Sequence, residues 1–365
     1  MKISSIKIGK ISIPLKKPFK TALRQVTSAE DIIIKVIADS GEIGYGNAPP
    51  TAVITGDSQD SVVAAIRDTI GPKLIGMDID NLEGIMTLLD ASMLHNQSAK
   101  AAVDIAVYDL FGKRHGIALY KLFGGLRSTL TTDLTISVND PEEMVRDSLE
   151  AIAAGYTELK LKVGTDADLD VKRVNAIRSA VGHSVKIRLD ANQGWTPKEA
   201  VRTIRKFEDA GLDIELIEQP VKAHDFEGLK YVTDHVETNI MADESAFGCH
   251  EVFRLLSMRA CDLINIKLMK AGGLHNALKI AHLAETMGIQ CMMGCMLESK
   301  VGITAAASLA AGKQIIGKSD LDAAVLLAAD PVVGGVRFEK NKILLSDAPG
   351  LGITEIAGWQ EIKGS

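Results

Sequence analysis

From about residue 130 onward, short apolar runs alternate with helical stretches eight times: TDLTISV, ELKLKV, KIRLDA, IELIEQ, NIMADE, LINIKL, QCMMGC and QIIGKSDLD. Apolar runs this short, separated by helix-length segments, read as the buried strands of a parallel sheet. Thr135, Lys162, Asp190, Glu218, Asp243, Lys267, Gly294 and Asp320 each stand near the end of one run, in steps of 24 to 28 residues. Eight strand–helix units of that length predict a (β/α)₈-type barrel. A doubly wound open sheet is the alternative, but the GxGxxG turn expected after its first strand is missing.

Upstream the pattern differs. Alternation at 3–15 and 31–38, and at 42–46 after the turn signal Asp39-Ser40-Gly41, predicts strands. Helical periodicity follows at 57–71, 80–90 and 98–115, with Ser98 as the expected N-cap of the last. Gly124-Gly125 marks a boundary, and a strand-like tail near 336–345 is expected to fold back. The expected organisation is an α+β capping domain over 1–122, a barrel over 123–325 and a C-terminal segment over 326–365 that returns to the cap.

Composition narrows the partners. A net charge of −6 with no long basic run argues against nucleic acid or a membrane surface. The first residues alternate like a strand and lack a signal peptide's apolar segment. No stretch approaches the ~18 apolar residues of a membrane span. Cys249, Cys261, Cys291 and Cys295 fit neither a zinc spacing nor a small disulfide framework, so reduced thiols in a cytoplasmic protein are expected.

Barrel enzymes carry their chemistry at the C-terminal ends of the strands. Here strands three, four and five end in Asp190, Glu218 and Asp243. Three converging carboxylates repel one another unless a cation neutralises them, and hard oxygen ligands suit Mg²⁺, with Mn²⁺ as a substitute. Strand two ends in Lys160-Leu161-Lys162, and alternation turns both lysines inward. The same argument turns Asn265 and Lys267 of strand six inward. Strands two and six lie opposite each other in an eight-strand ring. A carboxylate at the metal therefore has Lys162 on one side of its α-carbon and Lys267 on the other, with Lys160 near the developing enolate charge. A nearby cation is expected to lower the pKa of a lysine base. Opposed bases imply racemisation or epimerisation. Thr135 and the strand-seven residues Cys295, Met296 and Leu297 are expected to shape the pocket. Cys295 lacks a partner His and is read as packing, not as a nucleophile. Asp166, Asp168 and Asp170 read as the start of a helix, and the alanine-rich stretch 305–311 as close packing in the barrel wall.

Lys160-x-Lys162, Asp190-Ala-Asn192-Gln193, Glu218-Gln219-Pro220, Ala242-Asp243-Glu244 and Asn265-Ile266-Lys267 resemble the enolase superfamily, muconate-lactonizing subgroup, over nearly the whole chain. The resemblance implies a modified (β/α)₇β barrel, Mg²⁺ on Asp190, Glu218 and Asp243, and Lys162 and Lys267 as the acid/base pair. Within the subgroup the segments 17–24, 54–57, 190–195, 264–270, 302–307 and 320–322 are most similar to dipeptide epimerases acting on L-Ala-D/L-Glu. That similarity implies that Asp320 and Asp322 hold the peptide's ammonium and that Arg24 pairs with the glutamate side chain. The partner is then a small dipeptide, and self-association into a homo-oligomer is compatible with the sequence. One departure is Asn47, where many members carry Glu; it lies away from the proposed catalytic groups and is expected to have no bearing on chemistry. N-succinylamino acid racemase, o-succinylbenzoate synthase and muconate cycloisomerase share the scaffold but have no substrate ammonium for Asp320 and Asp322. A non-catalytic peptide- or metal-binding barrel would not need two opposed lysines.

Overall fold

A computed structural model describes residues 1–362 of the chain. Eight parallel strands form one sheet in sequence order: Leu134–Ile136, Glu158–Lys162, Lys186–Asp190, Ile214–Glu218, Ile240–Ala242, Leu263–Ile266, Gln290–Gly294 and Ile316–Asp320. They are numbered one to eight below. Among the described residues the first and eighth strands share no backbone ladder. Side chains bridge the seam instead: Thr132 Oγ1 accepts from Leu321 N at 2.9 Å, and Asp322 Oδ2 accepts from Thr135 N at 2.6 Å. Among the described residues the one helix after strand eight is the short Ala323–Leu326, so the architecture is (β/α)₇β.

The strands obey their alternation. Leu159, Leu161, Ile187, Leu189, Ile264 and Ile266 pack outward beneath the helices. Leu216, Met241, Leu263 and Met292 form a separate apolar cluster, the inward-facing layer of strands four to seven. The connecting helices follow local rules. Pro197–Asp209 starts with Thr196 and Glu199 in a capping box and buries Ala200, Val201, Ile204 and Phe207 on one stripe. Asp166 caps Ala167–Val181, as its acidic run implied.

The cap is a sheet of Ile3–Lys20, Gln25–Ala38 and Ile43–Ala48, packed on the helix Gln97–His115. Its first strand runs beyond the expected residue 15 after a register break between Pro14 and Phe19. The helix expected over 57–71 is interrupted: Gln59–Ala64 passes into a π-helical stretch, Ala65–Ile70, before Gly71–Leu74. Pro72 lacks the N–H that a continuous α-helix would use there. Ser98 is not an N-cap. Asn96 takes that place in the left-handed region, and Ser98 N instead donates to Asp57 Oδ2 at 3.4 Å. The C-terminal segment divides. Lys342–Leu344 pairs with Thr129–Thr131 beside the barrel, whereas Gln360–Glu361 pairs with Gly9 and Lys10 of the cap.

Candidate active site

The strand register brings the charges together. Lys162 lies beside Asp190, which lies beside Glu218. Asp243 and Lys267 follow immediately after strands five and six rather than ending them. Lys160 Nζ sits 3.1 Å from Asp190 Oδ2, 2.6 Å from Glu218 Oε2 and 2.7 Å from Asp320 Oδ2. The contact to Glu218 Oε2 is an ion pair without hydrogen-bond geometry. Lys162 Nζ donates to Asp190 Oδ2 at 2.5 Å, and Lys267 Nζ to Asp243 Oδ2 at 2.7 Å. Asn265 Nδ2 donates to Glu218 Oε1 at 2.8 Å.

These lysines line a cleft of about 600 Å³, counting its open mouth. Phe19, Leu23, Arg24, Val53 and Ile54 of the cap line the same cleft with Thr135, Cys295, Met296, Leu297, Asp320 and Asp322. Every lysine and substrate-contact residue expected from sequence is therefore at one place. The three acids expected to hold the metal differ: Asp190, Glu218 and Asp243 are fully buried and do not line the cleft, because the lysines occupy their outward oxygens. Among the described residues no three acidic, His or Cys groups stand ready-spaced around a cation. Their chemistry nevertheless fits one. Burial, with Asp190 and Asp243 alongside, pushes Glu218 up to about 8, the electrostatic crowding a divalent cation relieves.

The neighbouring acids act on Lys267 in the opposite sense to the lowering expected from a bound cation. Burial pulls it down, but Asp243 and Glu218 outweigh burial and hold it above the ordinary lysine range. Asp322 lies beyond strand eight rather than within it, yet both Asp320 and Asp322 reach the cleft. Asp320 is paired with Lys160, while burial and Asp320 push Asp322 up to about 6. Arg24 is partly buried, and among the described residues its guanidinium has no carboxylate in ion-pair range. Burial and the nearby acids push the Cys295 thiol well above its usual range, in keeping with a packing role.

Three positioning features were not singled out from sequence. Lys270, on the short helix Leu268–Ala271, donates to Asp243 Oδ1 at 2.5 Å and to the Asn265 carbonyl at 3.0 Å. Gln219 sits at φ +38° directly after Glu218; its Oε1 accepts from Asp243 N and Ser245 N, both at 3.0 Å, fixing the loop that carries Asp243. At Gly294 a Cβ would come within 2.9 Å of Lys267 Cε and 2.5 Å of Asn265 Oδ1, so the absence of a side chain there leaves room for the lysine. The spacing of Lys270 from Lys267 was the one available signal, since three residues of helix return a side chain to the same side.

Comparison with known proteins agrees with this geometry. Residues 4–124 match the family described as mandelate racemase / muconate lactonizing enzyme, N-terminal domain, and residues 143–355 match the enolase C-terminal domain-like family. The chain is 56% identical to the L-Ala-D/L-Glu epimerase of Clostridium acetobutylicum, over 98% of this chain and 99% of that one. A substrate-liganded structure of the L-Ala-D/L-Glu epimerase from Bacillus subtilis superposes with a TM-score of 0.97 at 50% identity, covering 98% of this chain and 100% of that one. The dipeptide epimerase of Enterococcus faecalis, solved with Mg and L-Leu-L-Tyr, gives 0.94 at 44% identity, covering 97% and 100%. With family matches across both the cap and the barrel, the chain belongs to the enolase superfamily, in its mandelate racemase / muconate lactonizing enzyme branch.

Proposed function

We propose that the protein is a Mg²⁺-dependent dipeptide epimerase that interconverts L-Ala-L-Glu and L-Ala-D-Glu. The observation that carries this reading is that Lys162 and Lys267, from strands on opposite sides of the ring, line one cleft. One removes the α-proton of the C-terminal residue and the other returns a proton to the opposite face. Asp190, Glu218 and Asp243 are the residues that would hold Mg²⁺, or Mn²⁺ in its place. When bound, the cation supplies positive charge against the enolate that develops on the substrate carboxylate. Lys160, almost fully buried, adds a fixed ammonium to the same region.

Arg24 supports glutamate as the C-terminal residue, because a guanidinium beside the cleft with no ion-pair partner among the described residues matches a side-chain carboxylate. Asp320 and Asp322 support a free amino terminus, since two buried, adjacent carboxylates gain from a cation between them. An N-acylated substrate offers none. The working division is a cap over 1–122, a barrel over 123–325 and a returning segment over 326–365. We place the reaction in the cytoplasm, in the turnover of cell-wall peptides. The four free cysteines support that compartment, and among the described residues no helix is long and apolar enough to cross a membrane.

A screen of L,L-dipeptides in D₂O with Mg²⁺, read by mass spectrometry, tests the reading. Deuterium should enter the C-terminal α-position of Ala-Glu, with inversion. N-acetyl-Ala-Glu should react poorly. Arg24→Ala should lower kcat/KM for Ala-Glu roughly ten- to hundredfold, the worth of ~1.5–3 kcal/mol for a charge-assisted contact, and spare Ala-Leu. Absence of exchange into every dipeptide would overturn the proposal; equal losses on Ala-Glu and Ala-Leu would overturn the role of Arg24.

A further inference from the structure

Cap and barrel meet at a second buried polar cluster, separate from the lysines. Asp31 lies on the cap strand Gln25–Ala38, Asn47 on Ile43–Ala48, and Glu298 on the loop after barrel strand seven. All three side chains are buried. Asn47 Nδ2 donates to Asp31 Oδ2 at 3.0 Å and to Glu298 Oε2 at 3.0 Å. Asp31 Oδ2 also accepts from Ser299 N at 2.9 Å, and Glu298 Oε1 accepts from Met296 N at 2.9 Å. A Cβ at Gly302 would fall 1.8 Å from Glu298 Oε2 and 2.7 Å from Asn47 Oδ1, so the helix Lys300–Gly312 closes directly over the cluster.

Such a cluster is a poor way to fill space. Burial pushes Asp31 up to about 6 and Glu298 up to about 8, and among the described residues Asn47 Oδ1 has no hydrogen-bond partner. Apolar side chains of similar volume would be cheaper to bury. What the cluster supplies is direction. Glu298 and Asp31 hold the loop 296–299 from both ends, and that loop carries Met296 and Leu297 of the cleft wall. Asn47 ties both acids together across the two domains. The cap in turn carries Phe19, Leu23, Arg24, Val53 and Ile54 of the facing lining.

We propose that Asp31, Asn47 and Glu298 are positioning residues that set the barrel wall at Met296–Leu297 in register with the cap residues lining the same cleft. Asn47, expected from sequence to have no bearing on the reaction, then acts on substrate fit rather than on proton transfer. The inference rests on the cleft being the dipeptide site.

Two variants separate hydrogen-bonded positioning from packing. Glu298→Gln keeps an acceptor for the Met296 amide; Glu298→Met keeps the volume and removes the acceptor. Each is assayed for KM and kcat on Ala-Glu, and hydrogen–deuterium exchange is followed over residues 294–300. Glu298→Met should raise KM about tenfold while kcat changes less than about threefold, with faster exchange at the Met296 amide. Glu298→Gln should restore both readouts to near wild type. A Met variant with unchanged KM and protection would overturn the proposal, as would a loss confined to kcat. If Glu298→Met does not fold, Asn47→Ala replaces it, with the same expected rise in KM and exchange and the same overturning result. A wild-type protein inactive on all dipeptides would defeat the functional reading alone, because the exchange comparison still tests the positioning.

Discussion

Two clusters of charge stand one above the other inside the same barrel, and they are built around different central cations. The lower one centres on Arg188, two residues before Asp190. Its Nε, Nη1 and Nη2 meet Glu215 at 2.6 Å, Asp133 at 2.8 Å and Glu158 at 2.6 Å, and Lys318 reaches Glu215 at 2.6 Å. The guanidinium thus spends each of its three nitrogens on a different carboxylate. Burial alone would raise Glu215, but Arg188 and Lys318 outweigh it and hold Glu215 at about 2. The upper cluster uses Lys160, Lys162, Lys267 and Lys270 against Asp190, Glu218, Asp243 and Asp320. There Glu218 stays crowded near 8. A guanidinium keeps its proton and fixes geometry, whereas an ammonium is a movable point charge able to give a proton up. A guanidinium at the centre of one layer and ammonium groups throughout the other, together with the deeper burial of the upper pairs, distinguish the layer that braces the barrel from the one proposed to carry the chemistry.

The comparison breaks most visibly if the upper lysines prove structural. Lys162→Ala and Lys267→Ala should each lower epimerisation by roughly a hundred- to ten-thousandfold while the fold survives. Each variant should still exchange the proton on the face served by the remaining lysine, so that one variant labels the L,L-dipeptide and the other the L,D-dipeptide. Exchange indifferent to which lysine is missing would defeat the opposed geometry. Next in size, Asp190→Asn should weaken Mg²⁺ binding, measured by calorimetry, by more than the ~10–100-fold cost of losing a supporting contact to a metal ligand. A chelator should abolish turnover reversibly. In the lower cluster Arg188→Met should act on stability, costing about 3–5 kcal/mol in denaturant unfolding because it leaves the buried Asp133 without its ion-pair partner and takes one from the partly buried Glu158 and Glu215. If it instead lowers kcat without changing the unfolding midpoint, the division of labour is wrong. The smallest effect concerns pH. Glu215 is depressed from the ordinary 4.5, so its contribution to stability is present above about 4.5 and is lost as pH falls toward 2. Glu215→Gln should flatten that acid limb of the unfolding curve and leave stability near neutrality less pH-dependent on the acid side.

Much of the upper layer was legible because one residue per strand end decides it. The repeat located Lys162, Asp190, Glu218 and Lys267, and alternation assigned their direction. The lower layer was not, since Asp133 and Arg188 are 55 residues apart and meet only because the ring brings strand one beside strand three's interior. Lys270 depended on a four-residue helix too short to show a period. Ser98 misled because a local capping residue was expected where Asp57 supplies the acceptor from another segment. The surroundings of Asn47 were hidden for the same reason: its neighbours Asp31 and Glu298 come from a cap strand and from the loop after strand seven, far apart in sequence. The burial of the three acids behind the lysines was not legible, because strand ends give position along the barrel but not which long side chain lies in front.

The pairing of Lys10 with Gln360 joins residues 350 positions apart. At ~5–20 residues per second, a ribosome takes roughly 20–70 s to deliver the second partner after the first. For that interval this stretch of cap edge is an open template for any neighbouring nascent chain. Its sequence is suited to the wait: Lys7, Lys10, Lys16 and Lys17 place charge along it, and Pro14 removes one donor. Charge of this kind disfavours edge-to-edge pairing, and in the finished fold Lys7 lies 3.4 Å from Glu361 of the strand that arrives last.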